Sequence, residues 1–190
     1  MPSESSLRDQ GLPNVFRRRQ VDGLILNFTH GVSDKVKDYL QVQSVPHVWI
    51  NTSMPVNTVR PDDYDAGRQA ANRLIDMGFK RVLFANLQAL HLNDNPNQFY
   101  ALDRHRGYRD AMEAAGLKSE TMCDARGVPD YTWFDFAENF LRVNKPPFGI
   151  VADGNNNALA FIVAARMLNI AIPDDVSIIS IDDKFDMTVH

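Results

Sequence analysis

The sequence predicts an α/β fold in which parallel sheets are covered by helices on both faces. Short apolar runs alternate with segments of helical spacing, and the connections are too long for hairpins. Such runs are typical of strands buried on both faces. The predicted strands are 21–27, 45–51, 80–87, 148–152 and 175–182. The predicted helices are 33–43, 65–77, 104–115, 132–143 and 156–168.

Residues that end helices support these boundaries. Gly78 and Gly116 follow predicted helices, where a left-handed residue is favourable, and Asn169 can serve in the same way. Pro173 then prevents continuation of the last helix. The polar, Asn-rich segment 87–100 is predicted as a loop that is longer than usual.

Composition predicts a soluble protein of one or two domains. The 190 residues are 44% hydrophobic with a formal net charge of -4, so no global basic field attracts nucleic acid. The single cysteine, Cys123, excludes an internal disulfide framework and is compatible with the cytoplasm. The first twenty residues lack a secretory signal pattern, and no apolar run reaches the length of a membrane span. We therefore expect a cytoplasmic protein with no membrane partner.

Asparagine and aspartate dominate the positions that follow the apolar runs. In open parallel sheets, ligands bind outside the carboxyl ends of the strands. Turn formation alone explains part of this enrichment, but the whole set predicts a polar binding site. These positions are Asn27, 51–53, 86–97, 153–156 and 182–183.

Three segments carry a resemblance to LacI/GalR transcription regulators. Residues 59–84 resemble the family's Asp-Asn-x-x-Gly-Gly segment and the helix and strand after it, although Phe79 replaces the usual histidine. Residues 104–112 are similar to its Arg-x-x-Gly-Phe/Tyr-x-x-Ala helix start. Residues 172–183 are similar to Ile-Pro-x-Asp-Val-Ser-Val-Val-Gly-Phe-Asp-Asp. The three motifs occur in the family's order.

The resemblance implies the effector-binding core of a sugar-responsive repressor or related regulator. Its fold would be two-lobed and periplasmic-binding-protein-like, incomplete at both ends, with the effector in the cleft. Residues 1–20 would be a remnant of the first strand-helix unit, 21–78 a partial first lobe and 79–190 the second lobe, with a hinge near Gly78. Operator DNA would be bound only through a missing N-terminal helix-turn-helix domain. The intact protein would be a homodimer or larger.

In the first lobe, the resemblance points to Asn27, Tyr64 and Asp65 as ligand contacts. Asn27 ends a predicted strand, where an amide can bind a hydroxyl, and the alternative role is that of a turn residue. Asp65 begins a predicted helix, so an N-cap role is slightly favoured for it and is compatible with ligand binding.

In the second lobe, the resemblance points to Arg104, Tyr131 and Asp182. The alternative for Arg104 is a surface salt bridge at a helix start, but a cation in the first turn opposes the helix dipole and favours a ligand role. Tyr131 would stack on the ligand, whereas core packing is favoured for the neighbouring Trp133. Asp182 is the strongest candidate, as a buried carboxylate partnered by ligand hydroxyls and Arg104. At Gly154 the family's usual side-chain contact would be lost.

Other functions have less support in the sequence. No Gly-rich phosphate loop, Gly-x-Ser-x-Gly elbow or metal-spaced histidine pair is present, so we predict neither an enzyme nor a cofactor or metal site. The main alternative is a stand-alone periplasmic sugar-binding protein. That alternative predicts a signal peptide and a complete final strand.

Overall fold

In a computed structural model, the chain forms two compact units, Met1–Pro61 and Asp62–His190. The structure describes residues 22–27, 34–87, 99–122 and 132–182. Each unit contains a parallel sheet. Among the described residues, no helix has the length and apolar character that crossing a membrane requires.

The first unit is a small sheet with a helix on one face. Its elements are β1 (Leu24–Asn27), α1 (Asp34–Gln43), β2 (His47–Ile50) and β3 (Thr58–Val59), and the sheet order is β1-β2-β3. Leu26 and Trp49 point toward α1 and pack on its Val36 and Leu40. Ile25, Val48 and Val59 lie on the opposite face and are exposed. The prediction of strands buried on both faces is therefore wrong here, because no described element covers that face.

The second unit is a four-stranded sheet between two pairs of helices. Its sheet order is β5-β4-β6-β7, and all pairs are parallel. Helices α2 and α3 pack on one face, through Leu74 and Tyr108 among others. Helices α4 and α5 pack on the other, through Ala137 and Phe161 among others. The elements are α2 (Asp63–Asp76), β4 (Val82–Ala85), α3 (Phe99–Ala114), β5 (Glu120–Met122), α4 (Trp133–Val143), β6 (Phe148–Ala152), α5 (Asn155–Met167) and β7 (Val176–Ser180).

The α/β fold class is confirmed, with differences in individual elements. Strands β3 and β5 were not predicted, because two and three residues are too few to show a strand pattern. Helix α3 begins at Phe99, within the segment predicted as a loop, instead of at Arg104. The helix ends at Gly78, Gly116 and Asn169 adopt the expected positive φ angles.

The two units divide between Pro61 and Asp62, whereas the resemblance implied a boundary near Gly78. Helix α2 accounts for the difference. It packs on α3 and on β6, where a Leu74 methyl carbon lies only 3.0 Å from the place of a Cβ on Gly149. The helix therefore belongs to the second unit. Residues 1–20 lie outside the described part of the chain.

Candidate functional site

A buried polar cluster lies at the carboxyl ends of the two central strands of the second unit. Asn86 follows β4 and Asp153 follows β6, and both side chains are buried. Asp63, the first residue of α2, is also buried. Arg104 of α3 joins Asp63 to Asp153. The cluster therefore occupies the end of the sheet where parallel α/β folds bind ligands.

The guanidinium of Arg104 is held by several partners. Its Nε donates to Asp63 Oδ1 at 2.8 Å, and its Nη1 donates to the backbone oxygen of Asp153 at 2.6 Å. The same Nη1 lies 3.7 Å from Asp153 Oδ1, which is an ion-pair contact without a hydrogen bond. The ring of Tyr100 lies 5.2 Å from the guanidinium carbon. With 14% of its side chain exposed, Arg104 is an organising charge of the cluster.

Two glycines place Arg104 beside Asp63. A Cβ on Gly67 would lie 2.0 Å from the backbone oxygen of Arg104, and a Cβ on Gly107 would lie 1.9 Å from that of Tyr64. Helices α2 and α3 therefore touch backbone to backbone where they cross. This close approach gives the glycines of the first two motifs a packing role.

Asn86 and Asp153 form a direct hydrogen bond. Asn86 Nδ2 donates to Asp153 Oδ2 at 3.0 Å. Burial raises the pKa of Asp153 to about 6, and the nearby Asp63 and Asp182 carboxylates add to the rise, while the Arg104 charge opposes it. Burial also raises the pKa of Tyr100, and Asp153 contributes to that effect. The cluster is thus a desolvated set of donors and acceptors.

In the first unit, Asn27 lies at the carboxyl end of β1, as predicted. Its side chain is exposed, and its Oδ1 accepts a hydrogen bond from Asn51 Nδ2 at 3.2 Å. Asn51 follows β2 and has a φ of 57°. The two amides therefore meet at one edge of this sheet, and a ligand role for Asn27 stays a prediction.

Tyr64 and Asp65 both contact other side chains of the second unit. The Tyr64 hydroxyl donates to Asp110 Oδ2 at 2.9 Å, and this bond raises the pKa of Tyr64. The N-cap of α2 is Asp62, which accepts from the backbone N–H of Asp65. The capping role for Asp65 is therefore wrong, because α2 begins two residues earlier than predicted. Its carboxylate instead accepts from Arg68 and Gln69, and these bonds lower its pKa.

Arg104 lies neither in the first turn of its helix nor in a surface salt bridge, so both predictions are wrong. Because α3 begins at Phe99, Arg104 does not lie in the first turn, and the argument from the helix dipole does not apply. The alternative of a surface salt bridge also fails, because its partners Asp63 and Asp153 are buried. The cluster itself is the stronger reason to place Arg104 at a site.

Asp182 and Tyr131 complete the predicted set. Asp182 lies past the carboxyl end of β7 and is exposed, so the prediction of a buried carboxylate is wrong. Its backbone oxygen accepts from Ser180 Oγ at 2.7 Å. Tyr131 lies outside the described residues.

Sequence reasoning missed four members of the cluster as individual site residues. Asn86 and Asp153 fell within ranges marked as strand ends, but nothing local showed that they pair. Asp63 stands in the first motif, where the resemblance drew attention to its neighbours. Tyr100 fell within a predicted loop.

A model of the periplasmic binding protein-like domain family matches residues 71–189, which is more than half of the chain. The chain belongs to this family. Curated relatives are HTH-type transcriptional regulators, and a solved structure of a LacI family regulator also matches, so the resemblance to the LacI/GalR core is confirmed. The transcriptional regulator RegA of Clostridium saccharobutylicum is 26% identical over 177 residues, which cover 90% of this chain and 51% of RegA. CelR of Thermobifida fusca is 27% identical, and the matched residues cover 95% of this chain and 52% of CelR. The chain spans about half the length of these relatives.

Solved structures of transcription regulators share the fold. A LacI family transcriptional regulator from Mycobacterium smegmatis superimposes with a TM-score of 0.60 at 25% identity, over 88% of this chain and 60% of that protein. The transcription regulator GntR from Chromobacterium violaceum superimposes with a TM-score of 0.67 at 18% identity, over 88% of this chain and 60% of that protein. The periplasmic-binding-protein-like fold class is therefore confirmed.

Proposed function

We propose that the chain is the effector-binding core of a LacI/GalR-type transcription regulator and that its effector is a small carbohydrate. The observation that carries the proposal is the buried cluster of Arg104, Asp63 and Asp153 beside Tyr100 at the carboxyl end of a parallel sheet. Buried charges at this edge are costly to a fold unless they are paired, and they are typical of ligand sites.

The chemistry of the cluster matches a polyol. Carboxylates and amides accept from and donate to hydroxyl groups, while an aromatic ring covers apolar C–H faces. Asp182 and Asn27 are further predicted contacts of this kind. The matched relatives RegA and CelR are transcriptional regulators. They support a role as part of a regulator over a role as a stand-alone periplasmic sugar-binding protein or as an enzyme.

A stability screen tests the proposal directly. A ligand that binds only the native state raises its stability by mass action. Sugars and sugar phosphates are screened against the full-length protein by thermal shift, and at least one neutral sugar is expected to raise the melting temperature in a saturable way. A screen in which only phosphates or nucleobases shift the melting temperature would contradict the carbohydrate assignment.

Replacing Asp182 with asparagine is expected to weaken the sugar response. A hydrogen bond to a charged group contributes about 1.5–3 kcal/mol, so the effector concentration at half-response should rise roughly ten- to a hundredfold. Operator binding without effector should stay nearly unchanged. The measurement is an induction curve in a reporter strain.

Asp174→Asn is the matched control, because this exposed carboxylate precedes β7 at the opposite end of the same strand. Its induction curve should match that of the wild type. An unchanged curve for Asp182→Asn, with effector binding intact, would show that Asp182 makes no effector contact.

Helix α5 presents an exposed apolar stripe that we assign to a homodimer interface. Leu159, Ile162, Val163 and Met167 follow the spacing of one helix face, and each is at least 40% exposed. A helix face of this kind is self-complementary in a two-fold dimer. Exposed apolar patches are typical of association sites.

The full-length protein is expected to sediment as a dimer or larger at micromolar concentration. Ile162→Lys places a charge in the stripe and should shift the full-length protein from dimer toward monomer. Val143→Lys, which changes an exposed residue at the end of α4, is the control and should leave the assembly unchanged. A monomeric wild-type protein would contradict the assignment.

A further inference from the structure

Two buried oxygens of the paired Asn86 and Asp153 side chains accept no hydrogen bond from a described residue. The one mutual hydrogen bond of these side chains uses Asn86 Nδ2 and Asp153 Oδ2. Asn86 Oδ1 and Asp153 Oδ1 are both buried, with no hydrogen-bond partner in the described part of the chain. Buried acceptors without a donor are unfavourable and uncommon in folded proteins.

One proton can satisfy both oxygens. An ionised carboxylate only accepts hydrogen bonds, whereas a carboxylic acid also donates one. We propose that Asp153 is a buried proton-binding site whose acid O–H, on Oδ1, donates to Asn86 Oδ1 and closes a cyclic acid–amide pair with the existing bond. The proton comes from solvent water, and its release leaves the carboxylate with the single bond from Asn86 Nδ2.

The surroundings of Asp153 raise its pKa, so that it holds a proton more tightly than a free aspartate does. Burial disfavours the charge and is the largest effect on its pKa, which rises to about 6. Arg104 of α3 lies 3.7 Å away and opposes protonation, whereas Asp63 of α2 and Asp182 beyond β7 favour it. Tyr100 of α3 is titratable, but its own pKa is raised, so it stays neutral here.

Helix α5 contributes no charge next to this pair. Its first turn presents the amides of Asn155 and Asn157, which are buried. Asn157 Oδ1 accepts from the backbone N–H of Leu87, directly after Asn86. The amino end of α5 therefore holds the chain beside Asn86 in place. The charge of this pair next to Arg104 depends only on whether Asp153 is protonated.

The direction of the pH effect follows from the pKa values. The ordinary aspartate pKa is 3.8, and in the folded protein the pKa of Asp153 is about 6, so the folded state binds the proton more tightly. The stabilisation is fully present below the ordinary value and is lost as the pH rises through about 6. Over that interval the folding equilibrium constant should fall roughly a hundredfold through Asp153 alone.

The test compares the full-length wild type with Asp153→Asn by denaturant unfolding from mildly acidic to mildly alkaline pH, without effector. The new amide donates to Asn86 Oδ1 at every pH and needs no proton. The variant is therefore expected to be more stable than the wild type above pH 6 and to lose the decline in stability between acidic and neutral pH. An unchanged pH dependence, or lower stability at alkaline pH, would overturn the proposal.

Two further variants isolate the effect. Glu138→Gln removes a partly buried carboxylate that lies outside the Asp153 cluster and pairs with Arg142 on α4, and it should keep the wild-type decline. His105 is also titratable, and burial lowers its pKa, so its contribution to stability is lost as the pH falls. His105→Gln should therefore change the profile with the opposite sign.

An infrared measurement on the wild type needs no variant. A protonated carboxylic acid has a carbonyl band distinct from that of a carboxylate, and this band should disappear as the pH rises through about 6. If Asp153→Asn fails to fold, this spectrum decides, and the absence of the band at mildly acidic pH overturns the proposal. None of these measurements depends on the identity or existence of an effector.

Discussion

Gly107→Ala is expected to unfold the second unit or to destabilise it by more than about 3 kcal/mol, the upper end of ordinary overpacking. The new Cβ would lie 1.9 Å from the backbone oxygen of Tyr64 and 2.9 Å from the backbone nitrogen of Arg68. These are helix backbone atoms, so no side-chain rotation relieves the clash, and α2 and α3 must separate. Helix propensity alone predicts the opposite sign, because alanine favours a helix over glycine. Unfolding followed by circular dichroism measures the loss.

Gly154→Ser is the matched control. No atom lies within 4 Å of a Cβ at this position, its φ of -161° is extended backbone, and serine is a good N-cap for α5. Its stability should stay within about 0.5 kcal/mol of the wild type. Equal stability of Gly107→Ala and the wild type would show that the two helices do not touch as described.

Arg104→Leu is expected to cost about 3–5 kcal/mol, because it removes one partner of a buried ion pair. Asp63 is buried and would lose the donor at 2.8 Å, and Asp153 would lose its only described cationic contact. Leucine restores apolar volume but supplies no donor. Denaturant unfolding at neutral pH gives the free energy, and the same variant should lose any ligand response found in the sugar screen.

Arg106→Leu shows what a surface pair on the same helix contributes. Arg106 is largely exposed and pairs with Asp103 at 3.1 Å, so its loss should cost less than about 1 kcal/mol. A double-mutant cycle then adds Asp63→Asn to Arg104→Leu, and the second change should recover part of the stability by removing the orphaned charge. Similar losses for Arg104→Leu and Arg106→Leu would refute the buried ion pair.

Much of the fold was predictable because it depends on local pattern. The central strand 148–152 is apolar at every position and is buried throughout. Residues Gly78 and Gly116 mark helix ends that need a positive φ. By contrast, β5 has three residues and exists because it pairs with β4, a contact that local sequence does not encode.

The candidate site was predictable in position but not in its partners. The carboxyl ends of strands were marked in advance, and Asn86 and Asp153 both lie there. Arg104 was selected by its motif. Its described ion-pair partners are nevertheless Asp63 and Asp153. The crossing of α2 on α3 brings the first residue of α2 to the guanidinium.

By itself, the sequence determined the α/β class, the alternation of strands and helices, and the end of the sheet at which polar side chains lie. Each follows from the spacing of apolar residues and from the residues that come after each strand. Only the tertiary structure decided which carboxylates are desolvated. Asp63 and Asp153 are buried beside Arg104 because Gly67 and Gly107 let two helices meet backbone to backbone over the sheet. Asp65 lies only two residues from Asp63, but it pairs with Arg68 on the surface of α2. Burial is a property of packing, and it raises the pKa of Asp153. Asp65 is not buried in this way, and hydrogen bonds from Arg68 and Gln69 lower its pKa.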